Sequence, residues 1–150
     1  MSDSQGVASS ANLYTARMLG LATELARIPW DDSLPFQGGA RSASCGSTLR
    51  LGLQTDSAGR IEQIGISAHA CAVGQAAAAI FAAHAVGHNR ADIAQADDEI
   101  AAWLADERDL PDWPGLEAIA AAKAYPARHG AIPLAWKAAL AALPTGGNGS

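Results

Sequence analysis

The segment TLRLGLQTDSAGRIEQIGISAH, residues 48–69, contains two alternating runs of apolar residues around a short polar turn. Leucines occupy alternate positions from Leu49 to Leu53, so they share one face of an extended chain. The turn residues Asp-Ser-Ala-Gly favour chain reversal, and a second alternating run follows to His69. Ile61 falls on the opposite face of that run, which predicts a bulge near the turn. The segment therefore predicts an antiparallel hairpin made of residues 48–55 and 61–69.

Helical patterns flank this hairpin on both sides. We predict helices at residues 13–28, 73–86, 91–105, 116–124 and 132–143, a short strand at 41–44, and loops at 30–39 and 125–130. Asn12 and Asn89 are the predicted N-caps of the first and third helices, and Gly87 ends the second. Pro133 is expected in the first turn of the last helix. The acidic residues around the third helix are expected to form a solvated face.

Strands grouped apart from helices indicate an α+β fold, in which a small antiparallel β-sheet has helices packed on one face. We assign residues 1–11 and 144–150 to disordered tails and residues 12–143 to a single domain. The chain of 150 residues is long enough to bury a core without disulfides or metals.

The composition excludes several classes of function. Hydrophobic residues make up 49% of the chain, which argues against wholesale disorder. A net charge of −5 without a basic cluster predicts no nucleic-acid partner. The most apolar stretch, residues 71–86, is too short to cross a bilayer, so no membrane association is expected. Two cysteines and a polar N-terminus favour a reduced, cytoplasmic protein.

Cys45, Cys71 and His129 lie at junctions between predicted elements, where a side chain can point into a shared cleft. Cys71 precedes a helix, and the positive end of the helix dipole stabilises the thiolate that binds metal. The ends of an antiparallel hairpin meet, so Cys45 and Cys71 are expected close together. A pair of inert, buried thiols is the alternative. His84 and His88 are expected to face solvent.

The order of these motifs resembles the iron–sulfur cluster assembly scaffold proteins of the NifU N-terminal type, which include the IscU and SufU branches. The resemblance rests on ASCG at residues 43–46, the hairpin, ACA at residues 70–72 and LAWK at residues 134–137, and it covers residues 12–143. The LAWK run is similar to the SufU branch, although the choice between the branches stays open.

The resemblance implies a site in which an aspartate and three cysteines hold zinc or a nascent [2Fe–2S] cluster. Cys45 and Cys71 match the first two cysteines, whereas Ser47 stands at the aspartate position. An ungapped alignment puts Ala131 at the third cysteine. His129 and His69 are candidate replacements, because imidazole is a common zinc ligand and replaces thiolate in some clusters. We therefore take Cys45, Cys71, His129 and His69 as the candidate metal ligands.

The resemblance implies a non-enzymatic scaffold that transiently holds iron, a [2Fe–2S] cluster or zinc for cluster assembly, with a cysteine desulfurase and cluster acceptor proteins as its partners. One alternative is a degenerate relative that holds no cluster and acts as a zinc-binding or partner-binding regulatory module, with zinc or nothing at the site. The other is a thiol enzyme in which Cys71 is the nucleophile and a histidine the base. No orienting acid next to a histidine is evident in the sequence, so this alternative ranks last.

Overall fold

The computed structural model describes residues 13–43 and 46–145. The strands are β1, β2 and β3, and the α-helices are α1 to α5. Their bounds are β1 Phe36–Arg41, β2 Thr48–Thr55, β3 Ile61–His69, α1 Ala16–Glu24, α2 Ala72–Ala85, α3 Arg90–Leu104, α4 Pro126–His129 and α5 Leu134–Ala142. The described residues also include 3₁₀ segments at Leu25–Arg27 and Leu116–Ala124.

The sheet is antiparallel, with the strands in the order β1-β2-β3. The predicted hairpin is confirmed in both of its strands, and the register shifts at Gln54 and Thr55 as a bulge requires. The strand predicted at 41–44 is displaced: β1 occupies Phe36–Arg41, so its first four residues fall in the predicted loop and only Arg41 falls in the predicted strand. Ser44 lies outside the described residues. Two glycines in β1 replace the apolar side chains that would have marked it as a strand.

The helices pack on one face of the sheet, as predicted. Helix α5 lies against β1 and β2, and α3 packs on α5. The approach is close at Gly38, where an added Cβ would lie 2.5 Å from the backbone nitrogen of Ala142. The other face is partly covered by the loop at residues 29–34, because added Cβ atoms on Gly52 and Gly65 would meet that loop.

Several helix boundaries differ from the prediction. Helix α1 begins after Thr15, whose hydroxyl accepts a hydrogen bond from the Met18 amide at 3.1 Å, and the predicted cap Asn12 lies outside the described residues. Residues 116–124 are 3₁₀ and not α-helical, with a kink at Ile119. Residues 126–129 form the short helix α4 and not a loop, since proline suits a first helical position. Pro133 is the residue before α5 and not part of its first turn.

The predicted caps of α2 and α3 are confirmed. Gly87, with a φ of +94°, follows the end of α2 in the left-handed conformation that glycine adopts without strain. Asn89 caps α3 and forms a capping box with Asp92. Among the helices that the structure describes, none is long and apolar enough to span a membrane.

The first three residues of the LAWK run at 134–137 lie in the core, whereas Lys137 is exposed. Trp136 is fully buried and meets the rings of Phe81 and Trp113 edge to face, at centroid distances of 5.2 and 5.4 Å. The Trp113 ring stacks on Phe81, and its Nε1 donates to the Ile80 carbonyl at 3.0 Å. These aromatic contacts connect α2, α5 and the linker before the second 3₁₀ segment.

The expectation that the acidic residues of α3 are all solvated is wrong for Asp97, which is buried. Its carboxylate is buried between α3 and α5 and accepts a hydrogen bond from Lys137 Nζ at 3.3 Å. Burial raises the pKa of the Asp97 carboxyl, and the charge of Lys137 opposes that effect only in part. The pair therefore joins the last residue of the LAWK run to α3.

Candidate functional site

A pocket of about 490 Å³ opens where β2 begins, β3 ends and α2 begins. Its wall includes Ser47, His69, Cys71, Gln75 and Arg128. The antiparallel pairing of β2 and β3 sets this arrangement, because Thr48 lies opposite His69 and both strand ends fall at the same edge. The hairpin therefore brings its two flanking segments to one pocket, as the sequence predicted.

Cys71 is the N-cap residue of α2 and lines this pocket. Its backbone is extended, with φ −65° and ψ 170°, and its carbonyl accepts the Gln75 amide at 2.9 Å. The side chain is half-buried, is not in a disulfide and does not cap the helix. The thiol thus lies at the positive end of a 14-residue helix and faces a space that ligands can enter.

The loop that leads into β2 folds back on itself beside the pocket. The Ser42 amide donates to the Ser47 carbonyl at 2.8 Å, and the Gly46 amide donates to the Ser42 carbonyl at 3.0 Å. Gly46 has a φ of +72°, which only glycine adopts readily. Cys45 lies outside the described residues, so its proximity to Cys71 stays a prediction, although Gly46 itself lines the pocket.

Ala131 lies against the first turn of α2. A Cβ built on Gly74 would be 3.2 Å from the Cβ of Ala131, and Gly74 is three residues beyond Cys71. The ungapped alignment therefore puts its third-cysteine position next to the start of α2. Ala131 is fully buried, however, and so does not belong to an exposed rim.

The two candidate histidines differ in where they lie. His69 ends β3, is exposed and lines the pocket together with Cys71. The ring of His129 has its Nε2 2.7 Å from the Lys123 carbonyl, which can only accept, so Nε2 is the donor. His129 is not among the residues that line the pocket. Only Nδ1 of His129 remains for a metal while that hydrogen bond is made.

The two other histidines do not belong to the pocket. His84 is exposed on α2, as expected. His88 is half-buried: its Nδ1 lies 3.1 Å from Asp92, and its ring lies 5.0 Å from that of Trp113. His88 therefore has a structural role at the start of α3 that the expectation of a solvent-facing ring missed.

Sequence reasoning also missed Arg128 and Gln75. Arg128 Nη2 donates to the Tyr14 hydroxyl at 3.1 Å, and Gln75 Nε2 donates to the Ala70 carbonyl at 2.9 Å. A search for metal ligands passes over both residue types, because neither is among the usual metal ligands. The sequence held one signal for Arg128: it lies three residues before Ala131, the third-cysteine position of the ungapped alignment.

The described residues fit a resident metal poorly. Within residues 13–43 and 46–145, no group of three or more His, Cys, Asp or Glu side chains could hold an ion. Ser47 offers a neutral hydroxyl where the resemblance has a carboxylate, and Ala131 offers no donor. Since a [2Fe–2S] cluster takes four protein ligands, the described part of the chain supplies an incomplete set.

Comparison with solved structures identifies the fold. The crystal structure of a nitrogen-fixing NifU-like protein (N-terminal) from Brucella abortus aligns with a TM-score of 0.81 and 23% identity, over 89% of this chain and 94% of that chain. The chain has the fold of this NifU-like protein. A putative iron–sulfur cluster assembly scaffold protein for the SUF system, from Fervidobacterium islandicum AW-1, aligns with a TM-score of 0.77 and 18% identity, over 88% of this chain and 97% of that chain.

A third crystal structure, of a protein described only as hypothetical, also resembles this chain in fold. It aligns with a TM-score of 0.68 and 17% identity, over 83% of this chain and 95% of that chain. No protein-family model matches the sequence, and no curated protein sequence matches it. The NifU-like fold is therefore evident in three dimensions at an identity too low for sequence matching.

Proposed function

We propose that this chain takes part in iron–sulfur cluster assembly as a scaffold-type protein, with iron and sulfur held transiently at the Cys71 pocket. The observation that carries the proposal is the half-buried, unbridged thiol of Cys71 at the N-cap of α2, in an open pocket. A soft thiol is the usual ligand of iron in such clusters. The NifU-like fold supports the proposal, because one structure that shares it is described as a putative cluster assembly scaffold.

In this proposal iron and sulfide are cargo, and the protein is not an enzyme. A cysteine desulfurase supplies the sulfur, acceptor proteins receive the cluster, and the exchange takes place in the cytoplasm. The open pocket suits such an exchange, since bound cargo remains within reach of a partner. The incomplete ligand set implies that the cargo is held weakly and released readily.

The alternative is a relative that keeps the fold and holds no cluster, acting as a zinc-binding or partner-binding regulatory module. Ser47 and Ala131 favour it, because they remove two of the four donors that the resemblance implies. Burial of Ala131 supports the same reading, since this position lies against α2 and away from solvent.

Anaerobic loading with ferric iron and sulfide separates the two. The scaffold function predicts visible absorbance from sulfide-to-iron charge transfer, with iron and sulfide bound below one cluster per chain and lost on gel filtration. Cys71→Ser and Cys45→Ser should reduce both contents to background, whereas the control His84→Ala should leave them unchanged. Iron and sulfide contents that are equal in wild type and Cys71→Ser would contradict the assignment. Zinc binding without any cluster would favour the alternative.

A further inference from the structure

Two arginines differ from the other basic residues of the chain, which has 10 arginine and lysine residues in all. Five of the ten pair with a carboxylate, and these are Arg17, Arg27, Arg108, Lys123 and Lys137. Three more donate a hydrogen bond to a carbonyl or hydroxyl oxygen, and these are Arg60, Arg90 and Arg128. Arg41 and Arg50 are exposed, and neither guanidinium forms an ion pair or a hydrogen bond within residues 13–43 and 46–145.

The register of the sheet places these two arginines next to each other. Because Arg41 pairs with Thr48, Arg41 and Arg50 are diagonal neighbours on β1 and β2 and share one face of the sheet. That face points away from the helices, since Leu49 and Leu51 alternate with Arg50 and are buried. Diagonal neighbours lie about 7–8 Å apart, so the two positive charges repel each other. An anionic group from outside the chain would relieve this repulsion.

The side chain of Arg50 is oriented without being neutralised. Its guanidinium carbon lies 4.3 Å from the centroid of the Trp30 ring, in a cation–π contact. The Nε1 of that ring donates to the carboxylate of Asp32, which fixes the ring and forms no ion pair with Arg50. The contact leaves the N–H donors of the guanidinium without a protein acceptor, so a carboxylate can accept two of them at once.

The two arginines lie at the end of the sheet that adjoins the Cys71 pocket. Arg41, Thr48 and His69 form one row across the three strands, and His69 lines the pocket. Two strand spacings, about 10 Å, separate Arg41 from His69 in this row. A partner bound to the arginines would therefore lie beside the pocket.

We propose that Arg41 and Arg50 form a docking site for a short acidic segment of a partner protein, whose aspartate or glutamate side chains pair with both guanidiniums. The net charge of −5 repels a long polyanion such as nucleic acid. A short acidic segment responds mainly to charges within a Debye length, about 8 Å at physiological ionic strength. That the partner exchanges cargo with the pocket rests on the proposed function, whereas the docking of an acidic segment rests on the arginines alone.

Binding of a fluorescein-labelled octaglutamate peptide, measured by fluorescence anisotropy, tests the docking site without any metal. Arg41→Gln plus Arg50→Gln should raise the dissociation constant about 5- to 10-fold, because two ion pairs are lost. The control Arg17→Gln plus Arg108→Gln removes the same charge from α1 and from the segment after α3. It should change the dissociation constant less than about 2-fold, since these positions lie outside the sheet.

Three outcomes would overturn the proposal. The first is an equal effect of the two double variants while circular dichroism shows both to be folded. The second, which depends on no variant, is a wild type that binds octaglutamate no more tightly than a labelled octaserine peptide. The third is tighter binding of a thymidine single strand of eight nucleotides than of octaglutamate, which would exclude a protein segment as the preferred occupant.

The outcomes also separate the docking site from the proposed function. Failure of iron and sulfide loading, with octaglutamate binding that depends on Arg41 and Arg50, removes the scaffold function and leaves the docking site. Successful loading without such binding keeps the function and removes the docking site.

Discussion

Gly38 sets how closely α5 approaches the sheet. An added Cβ would lie 2.5 Å from Ala142 N and 2.6 Å from the Ala138 carbonyl oxygen, and both of these are backbone atoms that cannot rotate away. Gly38→Ala should therefore lower the free energy of unfolding by about 1–3 kcal/mol. Chemical denaturation followed by circular dichroism measures this change.

Gly20 provides the matched control for that substitution. It lies inside α1 and has no neighbouring atom within 4 Å of an added Cβ. Gly20→Ala should raise the free energy of unfolding by about 0.5–1 kcal/mol, because alanine is the better helix former. Equal effects of the two substitutions would contradict the close packing of α5 on β1.

At the level of residues, the sequence predicted part of the site. Cys71 lies in a pocket as expected, because its position follows from the end of the hairpin and the start of a helix. His69 shares that pocket for the same reason. Arg128 could not be predicted, since it reaches the pocket through the short helix α4, which the sequence pattern did not indicate. The hydrogen bond of His129 to a backbone carbonyl depends on tertiary geometry that no local pattern encodes.

At the level of elements, the start of α3 couples helix stability to pH. Burial acts to raise the pKa of the Asp92 carboxyl, but hydrogen bonds from the His88 ring and the Asn89 amide outweigh burial and lower it. A lowered pKa in the folded state means that the ionised carboxylate stabilises the fold at neutral pH. That contribution is lost as the pH falls below the ordinary value of about 3.9 and through the lower pKa of the folded state.

Asp92→Ala should therefore lower the free energy of unfolding by about 0.5–1 kcal/mol at pH 7. The difference from wild type should begin to shrink below about pH 4, because the unfolded chain takes up the proton before the folded state does. Asp98→Ala, an exposed position on the same helix, should have a smaller effect. Urea denaturation across this pH range checks the prediction, and a constant difference from pH 7 to pH 3 would count against the carboxylate.

The elements themselves were predictable where side-chain periodicity was strong. Both strands of the hairpin and the cores of α2 and α3 follow from alternating or helical spacing of apolar residues. Strand β1 was missed, because Gly38 and Gly39 interrupt the alternation of side chains, and Gly38 does so where α5 approaches the sheet. The buried Asp97 was taken as solvated, because its partner Lys137 is 40 residues away in sequence.

At the level of the whole molecule, the residues that determine the fold are not the residues that determine the ligand set of the pocket. The order of elements and the ACA and LAWK motifs were sufficient to predict the NifU-like fold. Trp136 of the LAWK run belongs to the aromatic cluster of the core, so the run supports the fold and carries no information about the cargo. The ligand set depends instead on single positions such as Ser47 and Ala131, where this chain keeps the fold without carrying the ligands that the resemblance implies. For this reason the fold alone does not specify what the pocket holds.

The central proposal is that the Cys71 pocket is a scaffold site without two of the four ligands that the resemblance implies. The most direct measurement is zinc affinity, by chelator competition, together with iron and sulfide content after loading, for wild type and for Ser47→Asp plus Ala131→Cys. Ala131 lies against Gly74, three residues beyond Cys71, so this variant adds a thiol close to the start of α2. The control Ser47→Asp plus Ala138→Cys adds the same groups with the thiol on α5. We expect weak, substoichiometric binding by wild type and the control, and tight binding of one zinc ion or one stable cluster by the restored variant. A folded restored variant that binds no better than wild type, or a wild type that already holds a full, stable cluster, would contradict the claim.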